Sequence, residues 1–432
     1  MVDMETHRRQ PLDKAILSFS KSMGACLDKA ELQLAADLSA AFLIFCNSHA
    51  TCPCSASAQT VLGEALYLSA LALLQGGVVG PADCILTALG CRLRLSRSML
   101  QASSSQPAME APPGCQSPRL VCLPALLPPP LAASLCKGLS PASPYWAAHG
   151  GRGMPFSSHL FPIPRHGPDE AAMYGHPLEE TVSALARCIA SSPHPLAGAL
   201  QQATHAEVWA HCRASDEAHQ LHYDVDERWL GHGKSEYRVQ HPLLSSVLFL
   251  AGEGAGATLV LEEWLGKPAA ATRAWLVPPF PGSLLLFEGR LLHGVLPKPG
   301  RGSSHVEPRI TLMVAWWGEE VVGHRARQRD ASAPGPMMTP PWRLPDGHLS
   351  RHAWADKEHW SGSEDVPSIR ALPSQGPHPV EPVWEKVPGQ VSARQASPVW
   401  LTQLPLPPLR FFLRSETEIE RLYGDPELFC GA

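Results

Sequence analysis

Residues 282–297, with the sequence GSLLLFEGRLLHGVLP, predict two short β-strands that are joined by a turn. The first strand, residues 283–287, is apolar after its serine, as expected of a strand that is buried on both faces. Gly289 turns the chain, and the second strand, residues 292–296, places His293 among apolar neighbours next to Gly294, which permits close backbone approach. Taken alone, such a histidine is more often a core residue than a ligand, so its role depends on the rest of the chain.

Further short segments rich in β-branched and aromatic residues lie on both sides of this one. Glycine, proline or polar turns separate most of them, and an amphipathic helix over residues 179–191 precedes them. The predicted strands are residues 206–213, 220–225, 244–250, 258–261, 273–277, 283–287, 292–296 and 309–316. Many short strands at this spacing after a helix predict a double-sheet jelly roll within a chain of mixed helix and strand, the α+β class.

A His-x-Asp pair lies on the predicted strand 220–225. His222 and Asp224 are two residues apart, so both side chains leave the same face of that strand. With His293 as a second imidazole, they would supply the facial triad of a non-haem Fe(II) site, which leaves three coordination positions open. Asp226 shares the face and Glu227 follows it, so the carboxylate has alternatives; Asp224 is favoured because its donor stays close to that of His222.

Arg309 opens an otherwise apolar run, residues 310–317, after one predicted hairpin beyond His293. A buried arginine needs a carboxylate partner, and its fork of donors matches a carboxylate in a bidentate manner. Thr311 shares a face with Arg309 and can donate its hydroxyl to the same anion. The alternative is that Arg309 is a solvated strand end. His305 is a weaker ligand candidate, since it lies in a loop with no strand around it.

The order of these residues resembles that of the 2-oxoglutarate- and Fe(II)-dependent oxygenases, whose core is a double-stranded β-helix. The resemblance covers roughly residues 178–320 and depends on the pieces LHYDVDE, HPLLSSVLFL, GATLVLEE, GSLLLFEGRLLHGVLP and RITLMVAWW. It implies that His222, Asp224 and His293 bind the iron.

The resemblance also implies a co-substrate site and a reaction. Arg309 would bind the distal carboxylate of 2-oxoglutarate with help from Thr311, and Tyr237 would be a further contact. The reaction would consume O2, release succinate and CO2, and hydroxylate a peptide or small molecule that the sequence does not identify. Arginine at position 309 makes the chain less like the collagen-type prolyl hydroxylases, where lysine is expected. The carboxylate at position 224 argues against the halogenating branch.

Two other hypotheses remain at this stage. One is a cupin-like metalloenzyme that does not use 2-oxoglutarate, which would need no carboxylate clamp at Arg309. The other is a catalytically silent binding module that keeps the jelly roll for a partner. An intact triad counts against the second hypothesis, because loss of activity would be expected to remove ligands first.

The distribution of proline divides the chain into four predicted regions. The 432 residues include 44 Pro and 34 Gly, and much of the proline falls in residues 101–170 and 321–408. The predicted regions are a helical N-terminal region at 1–100, a Pro/Ser-rich linker at 101–175, the jelly-roll domain at 176–320 and a Pro/Trp-rich C-terminal extension at 321–432. The linker composition suits irregular chain, either as a spacer or lying over a neighbouring surface.

Charge and cysteine content bound the setting of the protein. A formal net charge of −5 with 17% charged residues gives no sign of a nucleic-acid or anionic-membrane partner. The first residues carry acidic side chains and no apolar run, so no signal or transit peptide is predicted, and an intracellular, cytoplasmic setting with free thiols is expected for the 12 Cys. The apolar run 65–79 is too short and too interrupted to predict a membrane span. The oligomeric state is left open.

Overall fold

A computed structural model of the protein describes fifteen stretches of the chain. They are residues 2–28, 31–48, 55–102, 117–125, 127–143, 145–146, 158–163, 176–214, 217–226, 239–267, 269–298, 307–319, 377–388, 399–407 and 409–424. Helices and strands are both well represented and every paired strand is antiparallel, so the α+β class is confirmed.

The helices fall mainly into an N-terminal group and a group around the start of the predicted jelly roll. They are α1 (Val2–Asp28), α2 (Leu32–Ser48), α3 (Ala56–Gln75), α4 (Val79–Ala88), α5 (Arg97–Ala102), α6 (Pro129–Gly138), α7 (Pro177–Ala190), α8 (Ala197–Leu200) and α9 (Glu416–Gly424), with a 3-10 helix at Val399–Gln403.

The strands are concentrated between positions 205 and 317. They are β1 (Leu93–Leu95), β2 (Leu120–Pro124), β3 (His159–Pro162), β4 (His205–Arg213), β5 (His219–His222), β6 (Leu244–Ala251), β7 (Thr258–Leu261), β8 (Ala274–Val277), β9 (Ser283–Glu288), β10 (His293–Val295), β11 (Arg309–Trp317), β12 (His378–Val380), β13 (Trp384–Lys386) and β14 (Phe412–Leu413). Each of the eight strands predicted from sequence has an observed counterpart that differs by no more than three residues at either end.

Two large sheets enclose the predicted site. The major sheet has the order β2-β9-β6-β11-β4-β3, and the minor sheet has the order β12-β8-β7-β10-β5. Their inner faces meet in one apolar cluster, to which β6, β9 and β11 contribute from one side and β7 and β8 from the other. The chain therefore crosses between the sheets at most of its connections from β4 to β11.

Side-chain alternation decides which residues of the major sheet reach that interior. On β6, β9 and β11 the inward set includes Phe249, Leu285 and Met313, whereas even-numbered neighbours such as Leu248 and Leu312 pack on the outer side. The outer side is covered by α6, α7 and α8. Both faces are thus buried, which explains why these strands are almost continuously apolar in sequence.

Helix α7 forms part of this cover. His176 caps its N-terminus by accepting a hydrogen bond from the backbone N–H of Leu178, and Pro177 follows at the first helical position. Two glutamates in the first turn and Arg187 in the last complement the helix dipole. Its apolar residues Val182, Leu185 and Ile189 are buried against the major sheet, as the sequence periodicity predicts.

The N-terminal helices cover the outer face of the minor sheet, which is the face turned away from the major sheet. Leu259 and Leu261 of β7 and Leu276 of β8 join the same apolar cluster as residues of α1 to α4. Segments from the C-terminal part of the chain enter this cluster too, and a small sheet with the order β13-β1-β14 ties them to the N-terminal region. The strand β1 and the strands of the tail were not predicted.

The interpretation of residues 101–175 as a linker is wrong for the parts that the structure describes. Strand β2 pairs with β9, and strand β3 pairs with β4, so both extend the major sheet at its two edges. Helix α6 packs on the outer face of that sheet. The physical reason is that an edge strand can be short and flanked by proline, because only one of its sides needs backbone hydrogen bonds.

The predicted hairpins also need correction. Strands β6 and β7 flank a turn with positive φ at Gly252 and Gly254. However, β6 belongs to the major sheet and β7 to the minor sheet, and the same holds for β11 and β10. Both connections therefore cross between sheets, which brings β10 and β11 to opposite walls of one interior.

Among the described residues, α3 is the one helix that is long and apolar enough to cross a membrane. Of its most apolar 18-residue stretch, 61% is buried inside the protein. Its inward residues, such as Leu66, Tyr67 and Leu74, lie in the cluster shared with the minor sheet. This burial explains the apolar composition without a bilayer.

Candidate metal centre and anion pocket

The two candidate histidine ligands are direct neighbours across a strand pair. His222 is the last residue of β5 and His293 the first of β10, and the two are register partners in the antiparallel pair. Their ring centroids lie 4.3 Å apart. The strand pairing therefore brings together two residues that are 71 positions apart in sequence.

Gly294 allows this close approach, as its sequence position suggested. A Cβ added at Gly294 would lie 2.9 Å from the backbone oxygen of His219 and 3.1 Å from that of Gln220. Any side chain would push β5 away from β10 and separate the two imidazoles.

Asp224 completes the group, but from outside the strand. Strand β5 ends at His222, so the expectation that both residues lie on one strand holds only for the histidine. The Oδ1 atom of Asp224 nevertheless lies 3.9 Å from Nε2 of His222 and 3.7 Å from Nε2 of His293. Within the described part of the chain, these three residues are the group whose ligand atoms all lie within 4.8 Å of one another.

The donor set fits a divalent first-row metal. Ligands bound at about 2.1 Å on neighbouring positions of one ion lie roughly 3 Å apart. The two observed carboxylate–imidazole separations are less than 1 Å longer, and all three ligand atoms lie within 4.8 Å of one another. Two imidazoles and one carboxylate on one face of an ion are the ligands of a non-haem Fe(II) site with open positions.

Backbone carbonyls fix the orientation of both imidazoles. Nδ1 of His222 lies 2.9 Å from the oxygen of Gln220, and Nδ1 of His293 lies 3.0 Å from the oxygen of Leu291. A carbonyl only accepts, so each Nδ1 carries the proton and donates it. In the neutral ring each Nε2 then presents its lone pair toward Asp224, the tautomer that a metal ligand needs.

Electrostatics also favour a neutral imidazole at His222. Burial lowers the pKa of His222 from 6.5 to about 4, and the neighbouring His293 adds to the effect, while Asp224 opposes it. At neutral pH the ring is therefore unprotonated and available as a donor.

Arg309 lies at the beginning of β11 and is 4% exposed. Its Nη2 donates a 2.8 Å hydrogen bond to Oγ1 of Thr258, and its guanidinium carbon lies 5.4 Å from the centroid of the Phe249 ring. Burial, followed by the positive charge of Arg213, lowers the pKa of Arg309 to about 9. Of the carboxylates in the described stretches, none forms an ion pair with this guanidinium.

Arg309 and Thr311 each have one polar atom that is buried without a hydrogen-bond partner in the described protein. These atoms are Nε of Arg309 and Oγ1 of Thr311, the latter on a fully buried side chain. A buried donor without a partner costs about 1–3 kcal/mol, and more when it is charged. The arrangement therefore suits an anion that accepts from both residues, which stays a prediction for this pair.

Strand β4 adds polar groups that the sequence interpretation missed. Arg213 and His211 are the register partners of Arg309 and Thr311. Nη1 of Arg213 donates to Glu217 over 3.3 Å, and the Arg213 side chain is 22% exposed. Arg309 is 4% exposed and is therefore the more deeply buried of the two cations. The spacing of Trp209, His211 and Arg213 already placed them on one face of a strand, so the signal was present in the alternation.

The three candidate metal ligands and Arg309 line one cavity between the two sheets. It contains about 460 Å³ of space, with the open solvent at its mouth included. The triad, Arg309 and Thr258 line it, together with aromatic and imidazole groups from Trp209, His211 and His219.

The other predicted positions divide into two groups. Asp226, the alternative carboxylate, is buried, its backbone N–H donates to the oxygen of Gln240, and it is not a member of the metal-binding group. Tyr237, Glu227 and His305 lie outside the described residues.

Three further residues hold the site in place and were not foreseen. The Oγ of Ser245 donates to Oδ2 of Asp224 over 2.6 Å, and Nδ1 of His241 donates to the backbone oxygen of Asp224 over 2.8 Å. Thr258 holds Arg309 as described above. Sequence gave no signal for them, because a serine, a threonine and a histidine near strand ends have many structural roles.

Comparison with known proteins adds little to this geometry. No model of a protein family matches the chain, and no curated protein does. Solved structures that resemble it include a prolyl-4-hydroxylase from Pseudomonas putida, with 14% identity over 46% of this chain and 86% of the other and a TM-score of 0.27.

Two further similar structures are a prolyl hydroxylase from Trichoplax adhaerens, in complex with a peptide fragment of hypoxia inducible factor, and HygX from Streptomyces hygroscopicus with nickel and 2-oxoglutarate. The first shows 15% identity over 49% of this chain and 88% of the other, with a TM-score of 0.28. The second shows 13% identity over 46% and 82%, with a TM-score of 0.25. At these TM-scores the likeness assigns neither a family nor an activity to this chain.

Proposed function

We propose that the protein is an Fe(II)- and 2-oxoglutarate-dependent dioxygenase that hydroxylates a substrate not yet identified. The observation that carries the proposal is one cavity that contains both a His/Asp/His ligand group and a buried arginine without a carboxylate partner among the described residues. A metal site alone would suit many enzymes. The guanidinium beside it calls for an organic anion.

In this proposal the core is a double-stranded β-helix. Its support is the strand order, since β4 to β11 alternate between the two antiparallel sheets except at β7 and β8, which are neighbours in the minor sheet. That arrangement is expected of a double-sheet jelly roll whose interior holds the site.

Charge balance supports the choice of a dicarboxylate co-substrate. The iron brings two positive charges and Arg309 one, whereas Asp224 brings one negative charge. A dicarboxylate such as 2-oxoglutarate supplies the remaining two negative charges, and the closed site becomes neutral. Neutrality matters because an uncompensated charge away from water costs several kcal/mol.

The residues then have distinct tasks. His222, Asp224 and His293 would hold the iron on one face, and Arg309, assisted by Thr311, would bind the distal carboxylate. When bound, the iron with 2-oxoglutarate supplies an oxidant made from O2, with release of succinate and CO2. The apolar walls around the cavity would exclude water from that chemistry.

Arg309 also bears on the alternative of a metalloenzyme that does not use 2-oxoglutarate. Such an enzyme has no use for a buried guanidinium next to its metal. The energetic cost of burying Arg309 without a protein carboxylate favours a co-substrate that carries one.

The decisive experiment adds Fe(II) and then 2-oxoglutarate to the purified protein without oxygen. We expect a visible metal-to-ligand charge-transfer band that is absent in His293→Ala and much weaker in Arg309→Ala. Arg187→Ala, at an exposed position on α7, is the matched control and should keep the band. A well-folded wild-type protein that shows no band would refute the proposal.

A further inference from the structure

Asp224 is held differently from the two histidines with which it forms the candidate metal centre. His222 and His293 lie on paired strands, which fix their backbone. Asp224 lies two residues past the end of β5, so its position depends on contacts outside that strand. Two of these contacts come from the next part of the chain, residues 241–245.

One contact fixes the main chain. Nδ1 of His241 lies 2.8 Å from the backbone oxygen of Asp224, and a carbonyl only accepts, so the imidazole donates. Asp226, two residues after Asp224, is held by the same segment, because its backbone N–H donates to the backbone oxygen of Gln240 over 3.0 Å.

The other contact fixes the carboxylate itself. The Oγ of Ser245 donates to Oδ2 of Asp224 over 2.6 Å, while Oδ1 is the oxygen nearest to the two Nε2 atoms. Ser245 is 3% exposed and points inward from the second position of β6. One oxygen of the carboxylate is thus engaged by the protein, and the other faces the imidazoles.

We infer that Ser245 is the positioning residue of the metal centre: it holds Oδ2 so that Asp224 offers one oxygen to the metal. This inference rests on the proposed function. Its consequence concerns the open positions of the site. A carboxylate free to rotate can bind through both oxygens and occupy a position that the co-substrate or O2 requires, whereas a carboxylate fixed by Ser245 leaves three positions open.

Ser245→Thr and Ser245→Val form the matched pair for the test. Threonine and valine have the same shape and both suit a strand, but only threonine keeps the hydroxyl. Ser246→Ala is the control at the neighbouring position, where the hydroxyl donates to the backbone oxygen of Val314 and accepts from Nε1 of Trp316. Ser245→Ala serves as a second variant if the larger side chains prevent folding.

The measurement is the affinity for Co(II), a stable stand-in for the iron, by calorimetry, together with the d–d absorption spectrum of bound Co(II). Loss of an outer partner of a metal ligand weakens binding by about 10–100-fold. We therefore expect Ser245→Val and Ser245→Ala to bind Co(II) at least about tenfold more weakly and with an altered spectrum. Ser245→Thr and Ser246→Ala should stay near wild type.

The outcomes separate this inference from the proposed function. If wild type binds Co(II) and 2-oxoglutarate while Ser245→Val does so equally well with an unchanged spectrum, the inference alone is wrong. Equal weakening in the Thr and Val variants would also overturn it, since shape and not the hydroxyl would then matter. A folded wild-type protein that binds no metal would overturn both.

Discussion

His222 and His293 face each other as register partners at one end of β5 and β10, and both rings are oriented through Nδ1 by backbone carbonyls. The pairing makes the distance between the two imidazoles a property of the minor sheet. Backbone changes in that sheet should therefore act on metal binding as directly as changes of the ligands.

Gly294→Ala tests this relationship. Its added methyl group would meet the carbonyl oxygens of His219 and Gln220 at 2.9 and 3.1 Å, so β5 must shift away from β10. We expect a loss of about 1–3 kcal/mol in the free energy of unfolding, typical of overpacking, and at least about tenfold weaker metal binding. Denaturant titration and calorimetry with Co(II) measure the two effects.

Gly198→Ala is the matched control for this exchange. An added Cβ at Gly198 meets nothing within 4 Å, so both quantities should stay close to wild type. Unchanged metal affinity in Gly294→Ala would contradict the role assigned to the strand spacing.

Thr258→Val tests how Arg309 is held. Valine keeps the shape of threonine and removes the acceptor for Nη2 of Arg309, which lies 2.8 Å away. A hydrogen bond to a charged group contributes about 1.5–3 kcal/mol, so binding of 2-oxoglutarate should weaken by about 10–100-fold. Metal affinity should not change, because Thr258 contacts Arg309 and is not one of the three candidate metal ligands. Thr258→Ser keeps the hydroxyl and should bind 2-oxoglutarate about as tightly as wild type. If Thr258→Ser binds as weakly as Thr258→Val, the packing of the threonine methyl group and not its hydrogen bond holds Arg309 in place.

The pH dependence of stability should reflect His211. Burial, followed by the charges of Arg213 and Arg309, holds the pKa of His211 well below its usual 6.5. Between the two pKa values the unfolded chain binds the additional proton, so the free energy of unfolding falls as pH falls below about 6.5. From pH 7 to pH 5 this group contributes a loss of up to about 2 kcal/mol. Urea unfolding of His211→Gln should show a smaller loss over this range, and an equal loss would refute the assignment.

Tyr67→Phe tests whether the N-terminal helices and the C-terminal segment form one unit with the sheets. The hydroxyl of Tyr67 on α3 accepts a 2.9 Å hydrogen bond from the backbone N–H of Phe411, and its ring lies 4.6 Å from that of Phe412. Its removal leaves a buried N–H without this partner, which costs about 1–3 kcal/mol.

Scanning calorimetry measures the result. Because the apolar cluster shared by α1 to α4, the minor sheet and the tail is continuous, we expect one unfolding transition at a lower temperature in Tyr67→Phe. A separate early transition that moves alone would mean that the helical layer unfolds independently of the sheets.

Local patterns in the sequence predicted the strands and proposed the principal residues of the candidate site. The alternation and length of the apolar runs identified β4 to β11, and an arginine at the head of an apolar run stood out at position 309. These signals are local, since periodicity and composition act over a few residues. The cysteines in the described residues are free thiols, as expected.

Only the tertiary structure decided which residues that are distant in sequence come into contact. The register between β5 and β10, the anchoring of Asp224 by Ser245 and the contact of Thr258 with Arg309 join residues that are between 21 and 71 positions apart. Pairing between strands that are distant in sequence depends on the side chains that meet across the sheet, so the pattern within one strand does not show which strand will be its partner. For the same reason β2 and β3 were missed: their residues form strands because the edges of β9 and β4 are there to receive them.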